Sequence, residues 1–532
     1  MLGFLKTEPE YDRKRTRRDL RLLAVDHVFS QSMVALVSGA FMVALVLALG
    51  GDNRIIGLIA AIGPMTQAIQ IPAIFLVQSL RRRRAITVVT AWLARALFLL
   101  VAAIPWILPE QAQIPALLLT ILVHCTLANI SGCAYGSWMR DVIPERIMGR
   151  HMGGRLAAAI GAGAVISLLA GLGAGLSWTQ EVMGEVLPYS IIFGVAGVLG
   201  MIGTMQLTAV QEPAMPRVES LKPLALIQRP IQDRRFRAVL IFMGCWAFAQ
   251  NLALPFFAVY MFERLGLSIS VVVGLSVLTQ LINVALFPIW GRLADRFSNK
   301  AVIAASGILM VFSFLLWPLM TLGTMPVVAD ASNALESATL TADSTANGLY
   351  WATWPLLITA HVVLGVSTAG VALAAGNLAL KAAPRGEATA FLATNALITG
   401  VGAAIAPILA GFLGDYFDQR ILQISLSWLD PTLTEPLSAP AFDLRGLDFL
   451  FVIAFFFGLY ALHRLAAIQE RGEVDEMAVL YELRLALRRS VFSVGGATRL
   501  MSVPTGTAIR TARRITRRLR REERSQLQTS RI

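Results

Sequence analysis

Charge is scarce in this chain. Asp, Glu, Lys and Arg make up 15% of its 532 residues, against a hydrophobic share of 56% and a mean hydropathy of +0.66. That shortage excludes a soluble multidomain protein of this length, which carries roughly 25% charged residues. Cysteine is rarer still: Cys125, Cys133 and Cys245 fall inside apolar runs, at no metal-ligand or disulfide-framework spacing, and read as buried thiols. No glycine-rich phosphate loop, zinc spacing or nucleophile elbow occurs, which argues against ATP-driven pumping and enzymatic chemistry and implies no cofactor and no metal. No carboxylate sits clearly deep within an apolar run, so ion coupling has no obvious carrier.

What the chain has in abundance is apolar length. About twelve segments recur, near 22–49, 55–80, 85–108, 114–138, 153–177, 187–208, 236–263, 269–290, 300–323, 351–380, 387–414 and 447–468. Each is long enough to cross roughly 30 Å of hydrocarbon as a helix. The first follows a basic arm and has spanning rather than signal-peptide length, so it is expected to remain in the mature protein. Basic residues cluster on alternate connections, from Arg13–Arg21 through Arg81–Arg84 and Arg229–Arg237 to the arginine-rich tail. The positive-inside bias then puts both termini in the cytoplasm, in what we expect to be a bacterial inner membrane. The net charge of +13 is spread over loops and tail rather than gathered in one basic domain, so attraction to anionic lipids accounts for it and nucleic acid does not.

Between two apolar runs lies Gly291-Arg-Leu-Ala-Asp-Arg-Phe-Ser-Asn-Lys300. Gly291 permits close helix approach, Asp295 can accept hydrogen bonds from a neighbouring helix N-terminus, and Arg296 and Lys300 hold the loop at a cytoplasmic surface. The run resembles the signature loop of the major facilitator superfamily of secondary transporters, roughly Gly-x-Leu-Ala-Asp-Arg-x-Gly-x-Lys, with Ser298 for the second glycine. The resemblance implies an all-α polytopic membrane protein of two pseudo-symmetric six-helix halves. It also implies a gating role for Gly291, Asp295, Arg296 and Lys300, with Asp295 facing the start of the fifth span near Arg150 and Gly153.

Duplication leaves its own trace. Leu49-Gly50 and Leu265-Gly266 close the first and seventh spans, Arg84 and Lys300 open the third and ninth, and both pairs are 216 residues apart (266 − 50 and 300 − 84). That offset places Ser79 where the second half has Asp295, so the acidic latch is missing from the first half. The turns Arg140-Asp141-Val-Ile-Pro144 and Lys381-Ala-Ala-Pro384 form a fainter echo. The expected organisation is a basic arm (1–21), a first bundle (22–208), a proline-rich cytoplasmic linker (209–235), a second bundle (236–468) and a basic tail (469–532). The tail reads as two amphipathic helices suited to an anionic lipid surface.

Polar side chains within spans are costly and usually face a bundle interior or a wet cavity. By the resemblance the first, fourth, seventh and tenth spans line the cavity, so Gln31, Asn129, Gln250, Asn251 and His361 are the candidate substrate contacts. Each serves equally well as interhelical hydrogen-bonded glue. Arg95, about ten residues into the third span, reads first as a structural ion pair with Asp26, and less readily as a clamp for a substrate carboxylate. Asp26 beside His27 offers a site for a coupling proton, with sodium as the other coupling ion considered. The stretch Gly402 to Gly411 around Pro407 is similar to an antiporter motif, yet lies in the eleventh span rather than the fifth, and reads as packing. The function expected is secondary transport of a small solute by alternating access. The alternative is a non-transporting receptor or assembly factor acting through its tail.

Overall fold

The computed structural model describes residues 15–143, 145–175, 186–213, 223–321, 353–384, 388–428 and 437–468. The tail and most of the basic arm therefore lie outside the described residues. Eleven helices are long and apolar enough to cross a membrane, and a further helix, Glu145–Ala174, has a shorter apolar part over Ala158–Ala174 at the position of the fifth span. The twelve follow one another along the chain, with the longest connections between the sixth and seventh, the ninth and tenth, and the eleventh and twelfth. We call the two ends of the bundle the arginine-rich face and the hairpin face.

The first span starts at Thr16, earlier than hydropathy suggests, because its first turns are charged and helical beyond the apolar run. It is also broken. Helix Thr16–Val37 stops at Ser38, and a second helix, Ala40–Ala48, starts after Gly39, whose backbone (φ 58, ψ −128) is one that only glycine adopts freely. The second span is interrupted too: Asn53–Thr66 passes through a 3₁₀ turn, Gln67–Ile69, before Gln70–Leu80. Pro64 removes a helical donor there, and the Thr66 hydroxyl bonds back to the carbonyls of Ile62 and Gly63, both at 2.9 Å.

The two halves repeat with the offset read from sequence. The second and eighth spans begin at Asn53 and Ile269, the third at Arg83 and the ninth at Asn299. The paired landmarks Gly50 and Gly266 both adopt left-handed backbone, φ 76 and 61. Each half packs through small residues rather than through hydrophobic expulsion, as helices in lipid must. In the second half an aromatic cluster completes this near the hairpin face: Phe257 stacks on Trp317 at 4.1 Å between centroids, and the Tyr260 hydroxyl donates to the Trp317 carbonyl at 3.0 Å.

Two elements were not foreseen. A helix, Pro223–Gln232, forms within the connection between the halves. Between the eleventh and twelfth spans, strands β1 (Ile421–Trp428) and β2 (Leu437–Arg445) pair antiparallel. Their register slips between Ile424 and Ser425, next to the partner position of Pro440, where proline lacks the N–H a regular ladder needs.

Candidate functional site

The third span carries its arginine into a fully furnished pocket. Arg95 Nη1 lies 3.2 Å from Asp26 Oδ1 on the first span, and also donates to the Gly200 carbonyl at 2.7 Å and to Thr204 on the sixth; Nη2 donates to Ser30 Oγ at 2.7 Å. Both side chains are nearly buried, at 13% and 6% exposed. A Cβ at Gly200 would lie 3.0 Å from the Arg95 stem, so glycine is what admits the arginine. Three helices of one half are thus pinned by one arginine. His27, half-buried, stays outside this set of bonds, and beyond it Arg155 donates to the Tyr135 hydroxyl at 2.7 Å.

At the arginine-rich face the first half is closed by a second cluster. Arg83 donates to Asp141 at 2.5 Å, to the Ser137 carbonyl at 3.1 Å and to the Pro213 carbonyl at 2.9 Å, and its backbone N–H donates to Glu212. Arg84 donates to the Val210 carbonyl, and Trp138 to that of Gln211, both at 2.8 Å. The Gln211 amide reaches Asp19 at 2.9 Å. Residues 210–213 are therefore strapped to the first, third and fourth spans. Burial pushes the Glu212 carboxyl above the ordinary carboxylate range, while the N–H groups of Arg84 and Arg83 pull it down. A raised folded-state value supports folding below the unfolded value, and that support is lost as pH rises through the folded one. Glu212→Gln removes this titration. The wild type should gain stability on the variant as pH falls from 7 towards the ordinary glutamate range, as denaturant unfolding at each pH will show.

The halves approach each other along two seams towards the hairpin face. In one, Ser270 on the eighth span donates to the Gly171 carbonyl on the fifth at 2.9 Å, with Val273 against Gly171. In the other, Arg54 on the second span lies 2.6 Å from Asp415 on the eleventh. Here a Cβ at Gly57 would run into the Pro407 carbonyl, and one at Gly411 would sit 2.5 Å from the Asn53 carbonyl. The Gly402-to-Gly411 stretch is thus packing surface, as the sequence reading has it.

The break in the first span opens onto two cavities that share Val34, Ser38 and Gly39. One, about 200 Å³, lies between the halves and takes Gln31 from the first span with Ser276 and Gln280 from the eighth. The other, about 370 Å³, is apolar, with Met33, Met42, Phe98 and Ile121 in its wall.

Of the residues singled out from sequence, Gln31 reaches a cavity, and the others take different places. Asn129 is engaged on three sides, accepting from Gln70 and donating to Thr66 Oγ1 and the Cys125 carbonyl, each at 3.0 Å. Gln250 donates to the Met310 sulfur at 3.1 Å, and Asn251 to the Ala247 carbonyl of its own helix at 2.8 Å. His361 is 3% exposed, with Nδ1 2.9 Å from Thr279 Oγ1 and its ring edge-on to Trp317. These four side chains make their contacts within their own half, and the His361 Nε2 is buried with no hydrogen-bond partner among the described residues. In the signature loop, Asp295 is exposed and makes no hydrogen bond or ion pair with a described side chain. The side chains of Arg150 and Gly153 lie outside the described residues. Ser298 accepts from the Ala301 N–H at 3.0 Å, so it caps the ninth span, a service the usual glycine cannot give. Lys300 donates to the Ala466 carbonyl at 3.3 Å, at the end of the twelfth span, and Arg296 lies over Phe297. A Cβ at Gly291 would meet only Leu373 at 3.8 Å, an ordinary contact, so the close approach expected there is not observed.

The family model for the Major Facilitator Superfamily matches residues 28–340. No curated protein matches the sequence. Among solved structures, the nucleoside transporter NupG superposes with a TM-score of 0.56 at 12% identity, over 87% of this chain and 99% of its own. The xylose transporter XylE from E. coli in its inward-open conformation gives 0.56 at 11%, over 87% and 99%. A bacterial homologue of the human lysosomal transporter Spinster gives 0.55 at 13%, over 86% and 97%. At such identities these likenesses speak for the fold. The family match covers more than half of the chain, and with the spans and their duplicated halves it makes this protein an integral membrane solute transporter that belongs to the major facilitator superfamily.

Proposed function

We propose that the protein moves a small solute across a bacterial inner membrane by alternating access, driven by a gradient, with the arginine-rich face in the cytoplasm. The observation that carries this is the asymmetry of the seams: the halves are joined towards the hairpin face, while Asp295 on the other face stands exposed. Such an arrangement belongs to an inward-open state. In the alternate state the cytoplasmic ends close, and Asp295 then meets the start of the fifth span. One solved structure of similar fold is a D-xylose-proton symporter, and a proton is the coupling ion we favour here, with Asp26 beside His27 as the candidate site. The bundles at 22–208 and 236–468 are the moving bodies, and the tail at 469–532 rests on anionic lipid.

Spin labels test this directly. One pair at Leu80 and Leu380 reports the arginine-rich face, and one at Ile107 and Ile421 reports the hairpin face; all four side chains are more than half exposed. The two distances should change in opposite directions as the protein cycles, and Asp295→Asn should populate the present state further and slow flux in proteoliposomes without loss of folding. Two fixed distances would end the proposal. Flux indifferent to an imposed pH gradient would remove the proton from it.

A further inference from the structure

We infer that the cargo is an uncharged solute, with a group that both donates and accepts hydrogen bonds held between Gln31 and Gln280 and an apolar part lodged in the adjoining hollow. This rests on the transporter reading and deepens it. Gln31 belongs to the first half and Gln280 to the second, and they wall the same cavity. Among the described residues neither side-chain amide has a hydrogen-bond partner, unlike Asn129, Gln250 and Asn251. A carboxamide offers donors and acceptors together, which suits a hydroxyl, lactam or amide group on the cargo.

Charge is what the cavities withhold. No Asp, Glu, Lys or Arg lines either of them, and the one histidine in the wall, His124, has Nδ1 engaged with the Ala94 carbonyl at 2.8 Å. Asp26 and Arg95 neutralise each other behind the wall. The broken span adds no net charge either. At Ser38 and Gly39 the carbonyl end of one helix meets the N–H end of the next, so a partly negative end adjoins a partly positive one and the two offset each other. An ion entering here would shed its water without finding a counter-charge. The neighbouring wall of Met33, Met42, Phe98 and Ile121 suits a ring or an alkyl group, and methionine adapts to either.

Matched probes separate the classes. Phenyl β-D-glucoside is paired with phenyl β-D-glucuronide, and N-acetylphenylalaninamide with N-acetylphenylalaninate, so that within a pair the apolar part is shared and the charge differs. Each is added at millimolar concentration to the full-length protein in nanodiscs and the thermal midpoint recorded. An uncharged member should raise it by about 2 °C or more while its ionised partner does not. Gln31→Leu and Gln280→Leu should abolish that rise. Because both amides are unpartnered, the midpoint without probe should stay in place, and Gln31→Asn should keep part of the rise. Stabilisation by an ionised member, a rise that survives in both leucine variants, or no rise with either uncharged probe would overturn the inference. If the spin-label distances still exchange, only the cargo class is lost; if they do not, the transporter reading falls with it.

Discussion

Gly57→Ala and Gly411→Ala should each drive the protein out of the state described here, opening the hairpin face and closing the arginine-rich one. The added Cβ has nowhere to go. At Gly411 it would stand 2.5 Å from the Asn53 carbonyl and 2.9 Å from Arg54 Cα, and at Gly57 it would press on the Pro407 backbone. Backbone cannot swing aside as a side chain does, so the overpacking costs about 1–3 kcal/mol per site. Only the closed seam bears that cost. A difference of about 1.4 kcal/mol is tenfold in a population ratio, so the shift should be on the order of ten- to a hundred-fold. The Arg54–Asp415 pair crosses the same seam, but Arg54 is 52% exposed, and such pairs contribute about 0.2–1 kcal/mol. Arg54→Ala should therefore move the equilibrium less than fivefold. Lengthening of the Ile107–Ile421 label distance in both glycine variants is the expected result. Unchanged distances would mean that the halves do not part at this seam.

The second large effect concerns the buried pair. Asp26→Ala should destabilise the protein by about 3–5 kcal/mol, because it leaves the Arg95 guanidinium in a low-dielectric site without its counter-charge. Asp26→Ala with Arg95→Met should recover most of that loss, since removing both charges also removes the desolvation they require. Arg95 keeps contacts with Gly200, Thr204 and Ser30 in the single variant, and these soften the penalty without cancelling it. Unfolding in mixed micelles measures the cycle. If the double variant is no more stable than the single one, then the arginine holds the three spans by its hydrogen bonds rather than by charge.

Much of the fold was legible in advance because lipid constrains helices through length and hydropathy, which are local properties. The repeat offset was legible too, and its landmarks Gly50 and Gly266 prove to share a backbone conformation that glycine alone takes easily. Arg95 with Asp26 was legible because an arginine inside a span demands a partner. What stayed hidden depends on distant pairing. In sequence Arg83 and Arg84 declare only the sign of their charge, and nothing local reveals that Glu212, 129 residues beyond Arg83, accepts from its backbone. The break at Ser38-Gly39 looks like any other small pair in a glycine-rich membrane chain. Gln280 lies on the eighth span, outside the four spans to which the resemblance points, yet the cavity wall includes it. The hairpin did leave a trace in the alternation Ile421-Leu-Gln-Ile-Ser-Leu-Ser-Trp428, which a search for helices passes over.

The strap at 210–213 also shortens a leash. The sixth span ends at Leu207, yet the chain stays bound to its own half as far as Pro213, and the next described element begins at Pro223. Ten residue steps reach at most about 36 Å. The play between the two bodies is limited to that reach, and loosening the Arg83 anchor would lengthen it without altering any residue in the tether itself.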